Sequence, residues 1–502
     1  MTQVNRRSAA AATFIGQGAT AVINLGQVFL LAPLCLSYLG PYHYSSWLVV
    51  SELLVWIQLL DGGLPNLLTQ RVAALLGRGE RAEAARWIST TLLWLAAGGV
   101  GVLVVSLLAV PVVSRWLVEG EEHRTTFAGA ISVAVLASTL IMVTNGIVGL
   151  SRGTQRTAFL GTVQVVSAVV ALLVPAGLLL AGWGVWALVV GTLARAGVMV
   201  AGAIAFLAQM TARGEPWRAR PSRRISGEIA GLVPSMSAGN IGYALGNNSE
   251  LLLVSSLLGP LPALAYALTR RAFDGARSLV DGIAFAIGGG FAHLVSADDR
   301  GRAREVLGEI LWLRGTVAAL ILGAAVVMNE HVVSLLFDAA NFGGLLLTFA
   351  FAAQTLCAGH SLLVNFLWRA AGHVREGSLF LAVEAIVKVG LMALGLVVMG
   401  PIGAPVAGCV ASLMALFLIL RRLNATLPPR LTKTQTVGAV GRLAPGVIFL
   451  SAVGLACLPL PVSWITAGSL AVVHVLMGAG VFWWTQPPMA RARLTRFARF
   501  SA

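Results

Sequence analysis

The sequence predicts an all-α polytopic membrane protein of about fourteen transmembrane helices, arranged as two six-helix bundles with pseudo-two-fold symmetry plus two C-terminal helices. Three observations predict it. Of 502 residues, 57% are hydrophobic and 11% charged, and mean hydropathy is +0.85, where a soluble domain carries roughly 25% charged residues. Apolar runs of span length recur along the whole chain. Landmarks of the first six runs return, in order, in the second six.

The runs lie at about 13–36, 44–68, 88–113, 127–150, 158–181, 184–208, 229–257, 262–288, 308–328, 344–367, 377–399, 403–420, 443–459 and 464–485. The first follows Arg6 and Arg7 and is too long, and too broken by Gln17, Asn24 and Gln27, for a signal-peptide core, so it is expected to stay as an uncleaved span. Most of the 35 basic residues fall in one alternating set of loops and in the two termini, whereas the opposite loops hold only Arg115 and Arg124. The positive-inside rule then places both termini in the cytoplasm. The net charge of +15 is therefore a topology signal, not a nucleic-acid footprint.

The expected divisions are an N-terminal bundle 1–208, a basic cytoplasmic linker 209–228, a C-terminal bundle 229–420, a second basic linker 421–442, and a tail 443–502 carrying two further spans. No loop has room for a catalytic domain. There is no Walker A sequence, the histidines show no metal spacing, and the four cysteines lie in apolar runs without CxxC spacing. A transporter is expected rather than an enzyme, with no cofactor beyond an H⁺ or Na⁺ coupling ion.

The duplication rests on five landmarks. Leu39-Gly40-Pro41 returns as Leu258-Gly259-Pro260, Asp61-Gly62 as Asp281-Gly282, Ala85-Arg86 as Ala303-Arg304, Arg152 as Arg369, and Gly184 as Gly403. Six spans repeated in one orientation predict bundles related by an axis along the membrane normal, with a binding site between them. Spans one and seven carry polar stripes at identical spacing: Gln17, Thr20, Asn24 and Gln27, then Asn240, Tyr243, Asn247 and Glu250. Either these stripes line the site or they hydrogen-bond helix to helix.

Span eight carries the strongest chemistry. At 100° per residue, Tyr266, Arg270, Asp274, Arg277 and Asp281 share one helix face, with Arg271 to one side. One charge at a bilayer centre costs about 2.5–3.5 kcal/mol. The stripe must face a wet cavity or the protein interior. The i,i+4 pairs Arg270–Asp274 and Arg277–Asp281 permit a purely structural reading. Three arginines against two aspartates leave one positive charge over, which favours a wall for an anionic substrate.

Leu39-Gly40-Pro41, Tyr44 to Trp47, Asp61-Gly62-Gly63-Leu64 and the basic stretch Arg78 to Arg86, with SADDRGRARE from Ser296 to Glu305 as the matching loop of the second half, resemble the Wzx-type polysaccharide-biosynthesis flippases of the multidrug/oligosaccharidyl-lipid/polysaccharide (MOP) exporter superfamily. The resemblance implies a carrier that moves a polyprenyl-pyrophosphate-linked oligosaccharide from the cytoplasmic to the outer leaflet by alternating access. Its partners would be that lipid-linked substrate, membrane lipids, and the polysaccharide polymerase and chain-length machinery. Two departures stand out: Gly288-Gly289-Gly290 occupies the place of a frequent proline at the end of span eight, and span one lacks the arginines usual in the similar lipid II flippases. A lipid II-type flippase and a cation-coupled small-molecule exporter are the alternatives.

The candidate substrate-binding residues are Tyr266, Arg270, Arg271, Asp274, Arg277, Asp281, Asn24, Gln27, Asn240 and Asn247; Glu52, Asp61 and Glu250 are candidates for gating or ion coupling. Asp61, in DGGLP, also suits a helix break, bonding freed backbone or Arg71. Glu384–Lys388 reads as a self-neutralising pair, and Arg195 has no evident partner.

Overall fold

The computed structural model describes residues 6–117, 121–215, 217–296, 300–370, 373–426 and 462–485; side chains are described outside 6–19, Asn24, 121–123, 282–306, 423–426, 481–485 and some scattered positions. The described chain is helical: α1 (Arg6–Leu59), α2 (Leu64–Gly77), α3 (Arg81–Leu117), α4 (Glu121–Gly153), α5 (Thr157–Leu180), α6 (Val185–Ala212), α7 (Arg223–Asn248), α8 (Glu250–Leu258), α9 (Pro260–Ser296), α10 (Arg300–Phe337), α11 (Leu345–Ala370), α12 (Val374–Met399), α13 (Gly403–Thr426) and α14 (Trp464–Thr485). Eight helical stretches among these residues are long and apolar enough to cross a bilayer. Large apolar side chains stand exposed along them, such as Val105, Leu108 and Val112 on α3 and Val397 and Val398 on α12, as a helix in hydrocarbon requires. The protein is a multi-pass membrane protein. The first twelve expected spans and the fourteenth fall on helical residues, and the thirteenth lies outside the described residues.

Two of the repeated landmarks also repeat in backbone geometry. In each Leu-Gly-Pro, the glycine takes a left-handed φ (76° at Gly40, 93° at Gly259) that a side chain would strain. The proline then opens the next helix, where its missing N–H costs nothing. Gly40 thus divides α1 into the first two spans, and Pro260 starts α9. Gly184 has its dihedral counterpart at Gly400 (φ/ψ 57°/−138° and 66°/−150°) rather than at the expected Gly403. α9 stays helical through Gly288-Gly289-Gly290.

By contacts the chain divides into two compact units, Met1–Leu252 and Leu253–Ala502. α7, which the repeat places at the head of the second bundle, packs in the first unit against α1 and α3. Its Ile225 and Ile229 close a core with Leu64, Leu67, Trp87 and Leu95. In the same unit α2 and α4 approach so closely that a Cβ on Gly149 would lie 2.4 Å from the Pro65 carbonyl oxygen. The Thr69 hydroxyl lies against the carbonyls of Pro65 (2.9 Å) and Gly149 (2.8 Å) at that contact. In the second unit α10, α11 and α13 share a core around Leu307, Ile310, Leu363, Leu367 and Ile419. α14 docks on α10 through Gly478, set against Leu320, and through His474 Nε2, which donates to the Leu320 carbonyl at 3.0 Å.

The segment expected as a basic linker is strapped down in its described part. Ser89 Oγ donates to the Trp217 carbonyl (2.9 Å) and accepts from Ala219 N (2.9 Å), and Thr90 Oγ1 accepts from Ser222 N (3.0 Å). Glu83 pairs with Arg224, and Arg156 with Glu215. Replacing both hydroxyls (S89A with T90V) removes three bonds worth about 1 kcal/mol each. Trypsin is then expected to cut faster after the exposed Arg218 in the detergent-solubilised protein. An unchanged cleavage rate would show that the strap is held by something else.

Candidate functional site

The charged stripe of α9 is held by bonds along its own helix and from α10 and α11. Arg270 Nε donates to Asp274 Oδ1 at 3.0 Å, and Arg277 Nε to Asp281 Oδ2 at 3.4 Å. Both are the i,i+4 pairs expected from spacing. A third cation joins them: Arg314 of α10 donates from Nη2 to Asp281 Oδ1 at 3.0 Å. Arg314 is 1% exposed, the largest fully buried side chain described. Its seat exists because residue 359 is glycine, where a Cβ would stand 1.8 Å from Nη2. Arg314 Nη1 lies 3.0 Å from His360 Nδ1 of α11. The same Nδ1 lies 2.8 Å from the Leu356 carbonyl one turn back, which leaves Nε2 as the other ring nitrogen. That Nε2 is buried and without a partner among the described residues. So is Nε of Arg271.

Four arginines (Arg270, Arg271, Arg277, Arg314) against two aspartates (Asp274, Asp281) leave two positive charges over, one more than span eight alone provides. The frame around them is rigid. Thr269, next to Arg270, is fully buried; its carbonyl accepts from Asn329 Nδ2 (3.1 Å) and its hydroxyl from Gly343 N (2.8 Å). The same Asn329 amide donates to Thr348 Oγ1 at 3.1 Å, joining α9, α10 and α11. Tyr266, one turn before Arg270, has an aromatic neighbour. It is 1% exposed and packs edge-on against Phe351 of α11 at 4.9 Å, beside Phe273.

In the first unit the helix break expected at DGGLP is present: α1 ends at Leu59, Gly62 and Gly63 take positive φ, and α2 begins at Leu64. Asp61 Oδ1 accepts the freed Gly63 N–H at 2.8 Å and the Asn240 amide of α7 at 3.2 Å. Arg71 lies instead over the Trp87 ring, 5.1 Å from its centroid. Asp61 and Asn240 are thus brought together. Gln27 Nε2 donates to the Ala168 carbonyl of α5 at 2.8 Å, and Asn247 Nδ2 to the Tyr243 carbonyl one turn back. Glu52 is half-buried on α1 and Glu250 is buried at the start of α8. The side chain of Asn24 lies outside the described residues.

Sequence reasoning missed Arg314 and His360. Arg314 was visible as an arginine inside a span with no partner in its own helix, and such a residue calls for an acid elsewhere. Nothing in the spacing points from Arg314 to Asp281, or to the glycine that seats it. Glu384, expected beside Lys388, also takes the Ser361 hydroxyl of α11 at 3.2 Å, and Lys388 is 3% exposed.

No protein-family model and no curated relative matches the sequence. Solved structures do. A MOP-superfamily transporter from Pyrococcus furiosus, whose reverse polarity of binding pocket suggests a different function, superposes with a TM-score of 0.65 at 14% identity over 83% of this chain and 94% of that one. A multidrug-resistance MATE-family transporter of the same superfamily superposes in its inward-facing form (TM-score 0.63, 14% identity, 81% and 95% of the two chains) and in its outward-facing form (0.64, 14%, 84% and 96%). The fold is that of the MOP-superfamily transporters.

Removing one partner of a buried ion pair costs about 3–5 kcal/mol, because the other charge is left unpaired. R314Q is therefore expected to lower Tm clearly. G359A should do the same by unseating the guanidinium, and it should add little in an R314Q background. Additive losses in the double variant would mean that Gly359 serves some contact other than Arg314.

Proposed function

We propose that the chain is a flippase that carries a polyprenyl-pyrophosphate-linked oligosaccharide from the cytoplasmic to the outer leaflet, for O-antigen or exopolysaccharide assembly, by alternating access around a cationic site. The observation that carries this reading is the excess of arginine on and beside α9, rigidly framed and two positive charges in surplus. Arginine presents a planar fork matched to phosphate oxygens. Arg270, Arg271 and Arg277 would contact the pyrophosphate, while Arg314 holds Asp281 in place. The polar side chains Gln27, Asn240 and Asn247 are assigned to the sugar. Membrane potential would assist: two uncompensated negative charges moving outward across 100 mV gain about 4.6 kcal/mol. The protein would sit in the bacterial inner membrane with both termini cytoplasmic, beside the polymerase and chain-length machinery.

A second reading, a cation-coupled small-molecule exporter, draws support from the MATE-family neighbours and from Asp61, which has no cationic partner among the described residues. The reversed pocket polarity of the Pyrococcus transporter supports the view that one fold serves cargo of either sign. The two readings part on one experiment. Replacing Arg270, Arg271 and Arg277 together by Gln should abolish polymer export in a strain that depends on this chain, with normal membrane insertion, and leave resistance to cationic drugs untouched. Full export by the triple variant would remove the arginines from the substrate path.

A further inference from the structure

A shallow surface groove opens between the end of α4 and the start of α5, away from every residue assigned above. Ser151, Arg152, Thr157 and Gln164 line it with Leu160. Arg152 is exposed and has no acid or other polar partner among the described residues, and the Gln164 amide is likewise unbonded. The nearby Arg156 is already paired with Glu215. The groove therefore offers a guanidinium and an amide donor with no acid beside them among the described residues.

The duplication supplies a control. α12 begins at Val374, 217 residues after Thr157 begins α5, and Arg369 follows Arg152 at the same offset. The residues before the two helices, Arg156 and His373, share similar dihedrals (φ/ψ −111°/56° and −88°/48°). In the second half the described residues of this place pack on one another. Trp368, in the position of Ser151, stacks on His373 at 5.7 Å and meets Phe380 at 6.3 Å. Asn365 Nδ2 donates to the Gly377 carbonyl at 3.0 Å. The Arg369 stem lies across Gly377, so closely that a Cβ there would be 2.5 Å from its Cγ. In the first half Leu160 replaces that glycine, so Arg152 has no equivalent seat, and Ser151, Arg156 and Val163 stand where Trp368, His373 and Phe380 form the plug. One scaffold is packed on itself in one half and donor-lined in the other.

We propose that the α4–α5 groove binds the phosphate of an anionic membrane phospholipid. The ligand class follows from the donors: a planar guanidinium and an amide with no acid beside them match phosphate oxygens. A bilayer lipid is the source, because the groove lies where two candidate spans, Arg124–Gly153 and Thr157–Leu180, end and begin, at the depth of phospholipid headgroups. This site is independent of the substrate path proposed for α9.

The test uses the full chain purified in a neutral detergent, with Tm followed as phosphatidylglycerol, phosphatidylcholine or inorganic phosphate is added. Phosphatidylglycerol should raise Tm of the wild type and of R369Q, the counterpart in the second half. R152Q should lose more than half of that rise. Should R152Q fold poorly, Gln164→Leu keeps the arginine, and native mass spectrometry should show about one phosphatidylglycerol fewer retained than on wild type. An undiminished rise in R152Q, an undiminished lipid count in Gln164→Leu, or equal rises with phosphatidylcholine would overturn the proposal. So would inorganic phosphate reproducing the whole rise, since that would assign the groove to a soluble anion.

Discussion

The Asp281 carboxylate is the interaction on which the second unit depends. It takes one guanidinium from its own helix and one from α10, and through Arg314 it reaches His360 on α11. Helices in hydrocarbon gain no hydrophobic driving force from meeting each other, so small residues and satisfied polar groups decide which faces meet. Here both devices act at one point: Gly359 permits the approach and Arg314 fills it. The cost of the charges on α9 is lowered by pairing Arg270 with Asp274 and Arg277 with Asp281. The same pairing holds Arg270 and Arg277 in fixed places, and a site preorganised in this way loses little further freedom when it meets an anion.

Much of the fold was legible because its causes are local. Span length, the basic loops and the Leu-Gly-Pro pairs follow from the hydrocarbon thickness and from which residues tolerate a left-handed φ. The i,i+4 pairs of α9 were legible for the same reason. What escaped was long-range. Tyr266 shares the helical face of the charges by angle, yet packs on Phe351, because α11 covers that end of the helix. Arg314 finds its acid 33 residues away in sequence. The pairing of Gly184 with Gly400 rather than Gly403 has a local cause: the short 3₁₀ turn Gly400–Ile402 precedes α13, whereas α6 follows Gly184 directly.

The repeat gave both halves an aspartate at the same place in the span pattern and then let their surroundings diverge. Asp61 sits at a broken helix, and its acceptor oxygen is used by a backbone N–H and a neutral amide. Asp281 sits in an unbroken helix between two arginines. A carboxylate held by neutral donors has no fixed cation beside it, and one between two arginines has two. The two units therefore differ in kind: an acid without a counter-cation in the first, a cationic surplus in the second. Drift after duplication would erode charges in both halves. Here each unit has instead built a buried hydrogen-bond network around its own version, Asn240 in the first and Arg314 with His360 in the second. Under the function proposed above, division of labour between the halves accounts for that better than decay, with any coupling cation belonging to the Asp61 side and the anionic cargo to the α9 side.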